Sequence, residues 1–268
     1  MKTQFELSVI LPLKSSIVKD FDEFFKKSIE SITLQEILPS ELIIVHTNEE
    51  SLVKYLNEFD FGSLKVNKIE FKGKPNFSEQ INEGVKNSKT EWNTILEFDD
   101  EFSKIWFKNV RKYAEIYNNV DVFLPIVVDV DNKSVFAGFT NEATFAANFS
   151  QEMGILTNET LLNYQNFQTS GMVFKKQIFE DFGGFKPSFK LTFSYEFLLR
   201  MTYNSVKFMT IPKIGYKHIN LREGSIFWEY KNGQEVLTEN EVKFWVNSAK
   251  KEYFFSQDRN IKYTPENV

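Results

Sequence analysis

The residues best suited to chemistry lie in Trp92–Glu101 (WNTILEFDDE), where the acids Glu97, Asp99, Asp100 and Glu101 follow a short apolar run. An apolar run that stops at turn-forming acids reads as a buried strand reaching the carboxyl edge of a sheet. Strand alternation then places Glu97 and Asp99 on one side and Phe98 on the other. Two carboxylates so placed can share a hard divalent cation, whose remaining positions are filled by water and substrate phosphates. The plainer alternative is a solvated acidic turn, and context has to decide between them. With 2 His (His46 and His218) and no Cys, any metal must sit on oxygen or imidazole nitrogen, and cysteine chemistry is excluded.

The elements that would hold this stretch alternate in type. Strands are predicted over Phe5–Leu13, Glu41–Val45, Lys65–Phe71, Trp92–Leu96 and Val120–Val128. Between them, helical spacing marks Phe21 to Ile32 behind a capping box Asp20-x-x-Glu23, then Asn48–Phe59, Ser78–Ser88, and a helix capped by Ser103 carrying Trp106, Val110 and Tyr113. Such alternation implies βαβ units and a mostly parallel sheet flanked by helices, with ligands outside the carboxyl ends of the strands. Leu13-Lys14, His46-Thr47-Asn48 and Glu97-Phe98-Asp99 would gather there, which raises the acidic cluster above an ordinary turn. Lys133–Gln168 shows little periodicity beyond a short helix near Leu161, and long irregular stretches of this kind are usually functional or mobile. Order returns with a strand at Gly171–Phe174, a helix stopped by Gly183-Gly184, a helix over Ser194–Tyr203 and β-like runs at Val206–Ile211 and Gly215–Ile219. A terminal amphipathic helix opens on Thr238-x-x-Glu241.

The 268 residues are 42% hydrophobic with 29 Phe, enough for a sizeable core, and the net charge of −5 with dispersed Lys disfavours nucleic acid as a partner. There is no apolar run of membrane-spanning length and no leader pattern, so the expected place of work is the cytoplasm. The Lys243, Lys250 and Lys251 side of the terminal helix is compatible with docking on the core, with a homodimer, or with peripheral contact at the inner face of a membrane.

From about residue 5 to about 225 the chain resembles the family 2 glycosyltransferases of the GT-A fold. Leu7-Ser-Val-Ile-Leu-Pro12 is similar to the family's first strand and Glu41–Val45 to its second. Ile81-Asn-Glu-Gly-Val85 is similar to its N-x-G helix, and Leu96-Glu-Phe-Asp-Asp100 falls at its DxD signature. Gly171–Phe174 with Phe182-Gly-Gly-Phe185, and Ser194-Tyr-Glu-Phe-Leu-Leu-Arg200, resemble its G-x-x-x-F, GGF and E-D-x-D-L-x-x-R elements. The resemblance implies a GT-A-like domain over 1–225, with a nucleotide-binding half (1–101) and an acceptor half (102–225), followed by a helical extension over 226–268. It also implies a UDP- or GDP-sugar donor, a glycan, lipid-linked or protein acceptor, net inversion, Mn²⁺ or Mg²⁺, and a place in polysaccharide biosynthesis. Carried onto this chain, the nucleotide-sugar would meet Pro12, Leu13, Lys14, His46, Asn82, Glu97 and Phe98, and the metal would meet Glu97, Asp99 and a late histidine, His218.

The departures bear on chemistry. The first acid of the DxD is Glu97, the Asp pair after the second strand is replaced by His46-Thr47-Asn48, and the Arg before Asn82 is Ile81. In ungapped register the usual general base becomes Ser194, which leaves Glu196 as the carboxylate that could take the acceptor's proton. Alternatively Glu196 only orients its helix through Arg200 at i,i+4. Two further readings stay open: a GT-A-shaped binding or scaffolding protein without catalysis, and a nucleotidyltransferase, for which Lys14-Ser-Ser16 is a poor phosphate loop. Val128-Asp-Val-Asp131 also spells D-x-D, and is expected to form a turn or part of the acceptor-side wall.

Overall fold

The computed structural model describes residues 4–142, 154–220 and 222–267; residues 143–153 of the irregular stretch lie outside the described residues. Its strands are β1 (Gln4–Leu13), β2 (Leu38–His46), β3 (Val66–Glu70), β4 (Trp92–Ile95), β5 (Glu101–Phe102), β6 (Val122–Val130), β7 (Phe136–Thr140), β8 (Ile155–Leu156), β9 (Val173–Lys175) and β10 (Phe208–Ile219). The helices are α1 (Phe21–Thr33), α2 (Glu50–Glu58), α3 (Phe77–Asn87), α4 (Trp106–Ile116), α5 (Asn158–Asn163), α6 (Gln177–Phe182), α7 (Phe193–Tyr203), α8 (Ile226–Asn232) and α9 (Glu239–Glu252).

One sheet runs in the order β3-β2-β1-β4-β9-β6-β10-β5, with β7 on β6 and β8 on β10. Its long pairings, β1 with β2 and β6 with β10, are parallel, whereas the antiparallel ones through β5, β7, β8 and β9 are short. The continuous apolar run of β1 is explained by its place inside the sheet. Leu7, Val9 and Leu11 face one apolar cluster with Phe25, Ile32 and Trp106, while Ile10 faces the other with Ile81, Val85, Phe174 and Phe197. Helix α3 lies close on β1 and β2 because Gly84 has no side chain: a Cβ there would stand 2.4 Å from Cγ2 of Ile10.

Three local expectations are corrected. Asp20 adopts a left-handed backbone (φ 60°) and its side chain makes no cap on α1. Ser103 meets α4 through its carbonyl, which accepts the Trp106 N–H at 3.0 Å, rather than through its hydroxyl. The two β-like runs after residue 206 are one twelve-residue strand, β10. Pro212 to Gly215 does not break it but is absorbed as register shifts on β6 between Ile211, Ile214 and Tyr216. The box at Thr238 is complete, with Thr238 accepting from the Glu241 amide and Glu241 accepting from the Thr238 amide.

Candidate active site

Strand β4 ends at Ile95, and the acids leave it on a turn closed by the Asp100 N–H to the Glu97 carbonyl at 3.1 Å. Strand alternation therefore stops before the acids begin. The turn brings Glu97 and Asp100 together beside His218, while Asp99, on the same cavities as Glu97, is turned to Arg222.

Glu97, Asp100 and His218 bring one ligand atom each to within 4.8 Å of one another. Nδ1 of His218 lies 3.0 Å from Oδ2 of Asp100, and Oδ1 of Asp100 accepts the Ile219 N–H at 2.9 Å. Asp99 instead receives Nε of Arg222 at 2.5 Å, and that guanidinium stands 4.7 Å above the Phe98 ring. Oxygen and imidazole donors in this arrangement fit Mn²⁺ or a similar divalent cation. Of the three expected metal residues, Glu97 and His218 stand in the close group, where the third member is Asp100, and Asp99 is held by Arg222.

The electrostatics follow from crowding acids at the foot of a cleft. Burial, and then the Asp100 carboxylate, push Glu97 up to about 8 despite the attraction of His218 and Arg222. The same two causes raise Asp99, against the pull of Arg222. For His218, burial works against the charge, but Asp100, Glu97 and Asp129 outweigh it and raise the imidazole to about 10. Asp129, opposite His218 in the β6–β10 register, is raised mainly by burial. The second D-x-D, Val128–Asp131, thus splits: Asp129 sits beside the cluster, and Asp131 ties the β6–β7 turn by accepting the Lys133 and Val135 amides, each at 2.8 Å.

Two cavities meet at these acids. One, of about 390 Å³, is lined by Pro12, Lys14, Asn76, Gln80, Glu97, Phe98, Asp99 and Arg222, with Lys190 and Tyr230 across from them. The other, of about 240 Å³, is lined by Gln168, Thr169, Ser194, Tyr195 and His218, and shares Glu97 and Asp99 with the first. Pro12, Lys14, Glu97 and Phe98 thus face the larger cavity.

Leu13, His46 and Asn82 line neither cavity. The Leu13 carbonyl accepts from Gln80 at 2.9 Å and from the Thr47 amide at 3.2 Å. Nδ1 of His46 lies 2.7 Å from the Thr47 carbonyl, which fixes the buried ring at the end of β2. The Asn82 amide donates to the Phe185 carbonyl at 2.8 Å and accepts the Phe185 N–H at 2.9 Å, clamping α3 to the GGF turn. Lys217, next to His218 on β10, pairs with Glu101 at 2.8 Å.

Glu196 does not reach the cleft. It is fully buried, receives Nε and Nη2 of Arg200 at 2.9 and 3.1 Å, and pairs with Lys186 Nζ at 2.8 Å. The Arg200 guanidinium also donates to the carbonyls of Phe182, Gly183 and Gly184. The expected base is therefore the counter-ion of a buried brace, with both oxygens engaged. Ser194, the base position in ungapped register, does line the smaller cavity, where its hydroxyl donates to Oγ1 of Thr169 at 3.2 Å.

Sequence reasoning passed over Gln80 and Asp100. Gln80 donates to the Leu13 and Val45 carbonyls, each at 2.9 Å, and closes the space between the ends of β1 and β2. Its signal was an amide on the otherwise apolar inner face of α3. The signal for Asp100 was the doubled acid, whose second member strand alternation assigned to no face.

The family model described as Glycosyl transferase family 2 matches residues 8–183. No curated protein matches the sequence. Among solved structures, the chain is similar to S. aureus TarS 1-349 in complex with UDP, with 17% identity, a TM-score of 0.59, and coverage of 98% of this chain and 76% of that one. It is also similar to the same fragment in complex with UDP-GlcNAc, with 17% identity, a TM-score of 0.60 and coverage of 98% and 77%. Against another S. aureus TarS structure the identity is 16%, the TM-score 0.57, and the coverage 98% of this chain and 46% of that one. At such identities the likeness shows the fold, which is that of the GT-A enzymes.

Proposed function

The chain belongs to glycosyl transferase family 2, and from that premise we propose that it moves a sugar from a nucleoside-diphosphate donor to a glycan or lipid-linked acceptor, with inversion and with a divalent cation. The observation that carries this reading is the pair of cavities meeting at Glu97 and Asp99. The larger one, with Lys14 and Arg222 on its wall, suits a nucleoside diphosphate. The smaller, ringed by hydroxyls, amides and aromatics, suits an acceptor. The TarS structures that share this fold carry UDP and UDP-GlcNAc, which favours a uridine donor. Glu97, Asp100 and His218 would hold the cation, and its charge would stabilise the departing diphosphate. Arg222, already charge-paired with Asp99 at the cavity wall, would add to the same field. Among the described residues no helix is long and apolar enough to cross a membrane.

The test is thermal unfolding against UDP, GDP and their sugar conjugates, with Mn²⁺ or EDTA, followed by donor-consumption assays on any nucleotide that binds. At about 100 times its dissociation constant a nucleotide adds roughly 2.7 kcal/mol. A cation-dependent shift lost in Glu97→Gln is expected, and no shift with any nucleotide would sink the reading. A second reading, a GT-A-shaped binding protein, is favoured by one observation, the burial of Glu196 beneath a base position occupied by Ser194. It predicts the same nucleotide-dependent shift with no consumption of donor.

A further inference from the structure

Asp100, Glu97 and His218 are not brought together by the β4 turn alone. Two groups of β10 hydrogen-bond the Asp100 carboxylate, the His218 imidazole and the Ile219 amide, and the Tyr216 hydroxyl lies beside it. The same hydroxyl accepts the Glu97 backbone N–H at 3.1 Å. It therefore stands between the first and last residues of the acidic turn.

The ring that carries this hydroxyl is fixed on all sides. Tyr216 has no solvent exposure. Phe102 packs edge-to-face on it at 5.3 Å, in register across the β10–β5 pairing. Gly171, at φ +68°, lies so close that a Cβ there would stand 2.5 Å from the ring. The Gly171 carbonyl is held in turn by Nε1 of Trp106 at 3.1 Å. A phenylalanine would fill this slot equally well. The hydroxyl is an added polar group in an apolar pocket, where it is tolerated because it accepts the Glu97 N–H and faces the Asp100 carboxylate.

We propose that Tyr216 is a positioning residue, whose hydroxyl joins the Glu97 amide to the Asp100 carboxylate and so sets Glu97, Asp100 and His218 on one divalent cation. The inference rests on the reading of the cleft as a cation-dependent donor site. The chemistry is that of an outer hydrogen bond orienting ligands: Nδ1 of His218 is engaged by Asp100, Asp100 is faced by the Tyr216 hydroxyl, and Nε2 of His218 is left for the ion.

The experiment measures Mn²⁺ binding to the full chain, from the paramagnetic resonance signal of the free ion, for the wild type, Tyr216→Phe and Phe102→Leu. Tyr216→Phe keeps the ring and removes the oxygen, and is expected to fold with a near-native midpoint in EDTA yet bind Mn²⁺ about 10- to 100-fold more weakly. Phe102→Leu loosens the packing of the same ring without touching the hydroxyl, and is expected to lower the midpoint while leaving Mn²⁺ affinity within roughly twofold of the wild type. Tyr216→Phe binding Mn²⁺ as tightly as the wild type would overturn the proposal alone. So would losses of affinity that merely follow the losses of stability in both variants. A wild-type chain that holds no Mn²⁺ would overturn the cation reading of the cleft, and this proposal with it.

Discussion

At the scale of single residues, the informative comparison is between acids that look alike in sequence. Glu196 lies between Lys186 and Arg200 with no exposure, so its removal leaves two buried cations facing each other. Glu196→Ala should cost about 3–5 kcal/mol in denaturant unfolding, and an unchanged midpoint would show that the brace does not matter. The pairing with Arg200 was legible as an i,i+4 spacing. Lys186 was not, because it arrives from a loop ten residues upstream. Glu97 behaves in the opposite way, since burial and the Asp100 carboxylate disfavour its charge. In the folded chain it keeps its proton up to about 8, against an ordinary value of 4.5, and His218 keeps its own up to about 10, against 6.5. Between about 4.5 and 10 these two groups bind more protons folded than unfolded, so their contribution to stability falls as the pH rises. A cation needs the deprotonated carboxylate, so its stabilising effect should grow across the same window. Midpoints measured from pH 5 to 9 in EDTA and in Mn²⁺ should diverge, and the wild type minus Glu97→Gln should slope downward from pH 5 to 8. A difference that rises over that range would contradict the raised carboxyl.

At the scale of elements, the alternation of strands and helices up to β6 was readable because each helix is amphipathic and the central strands carry short apolar runs. What the pattern could not give is the antiparallel part of the sheet. β5 and β8 are two residues long, too short to show a period, and they are defined by their partners rather than by their own residues, while β9 was expected as a strand but not as an antiparallel one. The acidic turn belongs to the same class: alternation describes a strand, and Glu97–Asp100 has already left one. Where close packing sets an element's position, a single methyl group is decisive. Gly84→Ala would press a Cβ to 2.4 Å from Ile10 and 3.3 Å from Val45, between α3 and the ends of β1 and β2. The expected cost is roughly 1–3 kcal/mol. Gln80 and Asn82 ride on the same helix, so nucleotide affinity should fall along with stability. Calorimetry with UDP on the variant, compared with Glu79→Ala on the exposed side of α3, separates that coupled loss from a general one.

At the scale of the whole molecule, the question is what the terminal extension does for a cleft formed largely by the preceding residues. Its amphipathic helix was legible, but the face it covers was not, since a stripe of apolar residues does not name its partner. In the structure Phe244, Trp245 and Ala249 of α9 are buried, Trp245 packs on Phe189 at 5.8 Å, and the Trp245 carbonyl accepts the Thr192 hydroxyl at 2.9 Å. Lys186 donates to the Glu252 carbonyl at 2.8 Å, and Asp258 receives the Ser188 amide and hydroxyl at 2.8 and 2.5 Å. Every one of these contacts lands on residues 186–192. Pro187 to Lys190 wall the larger cavity, and Leu191 and Thr192 wall the smaller. The extension therefore backs residues 186–192, and through Ile226, Glu229, Tyr230 and Glu235 it also lines the larger cavity itself. Asp258→Ala removes charge-assisted bonds worth about 1.5–3 kcal/mol when fully formed, less here because the site is part-exposed. It should lower the midpoint by a few degrees. The telling readout is the donor: if the tail sets the wall, KM for the nucleotide-sugar should rise while kcat changes little, because the acidic turn is untouched. A fall in kcat at constant KM would place the tail's influence on the chemistry instead, and no change in either would reduce the extension to a stabilising cover.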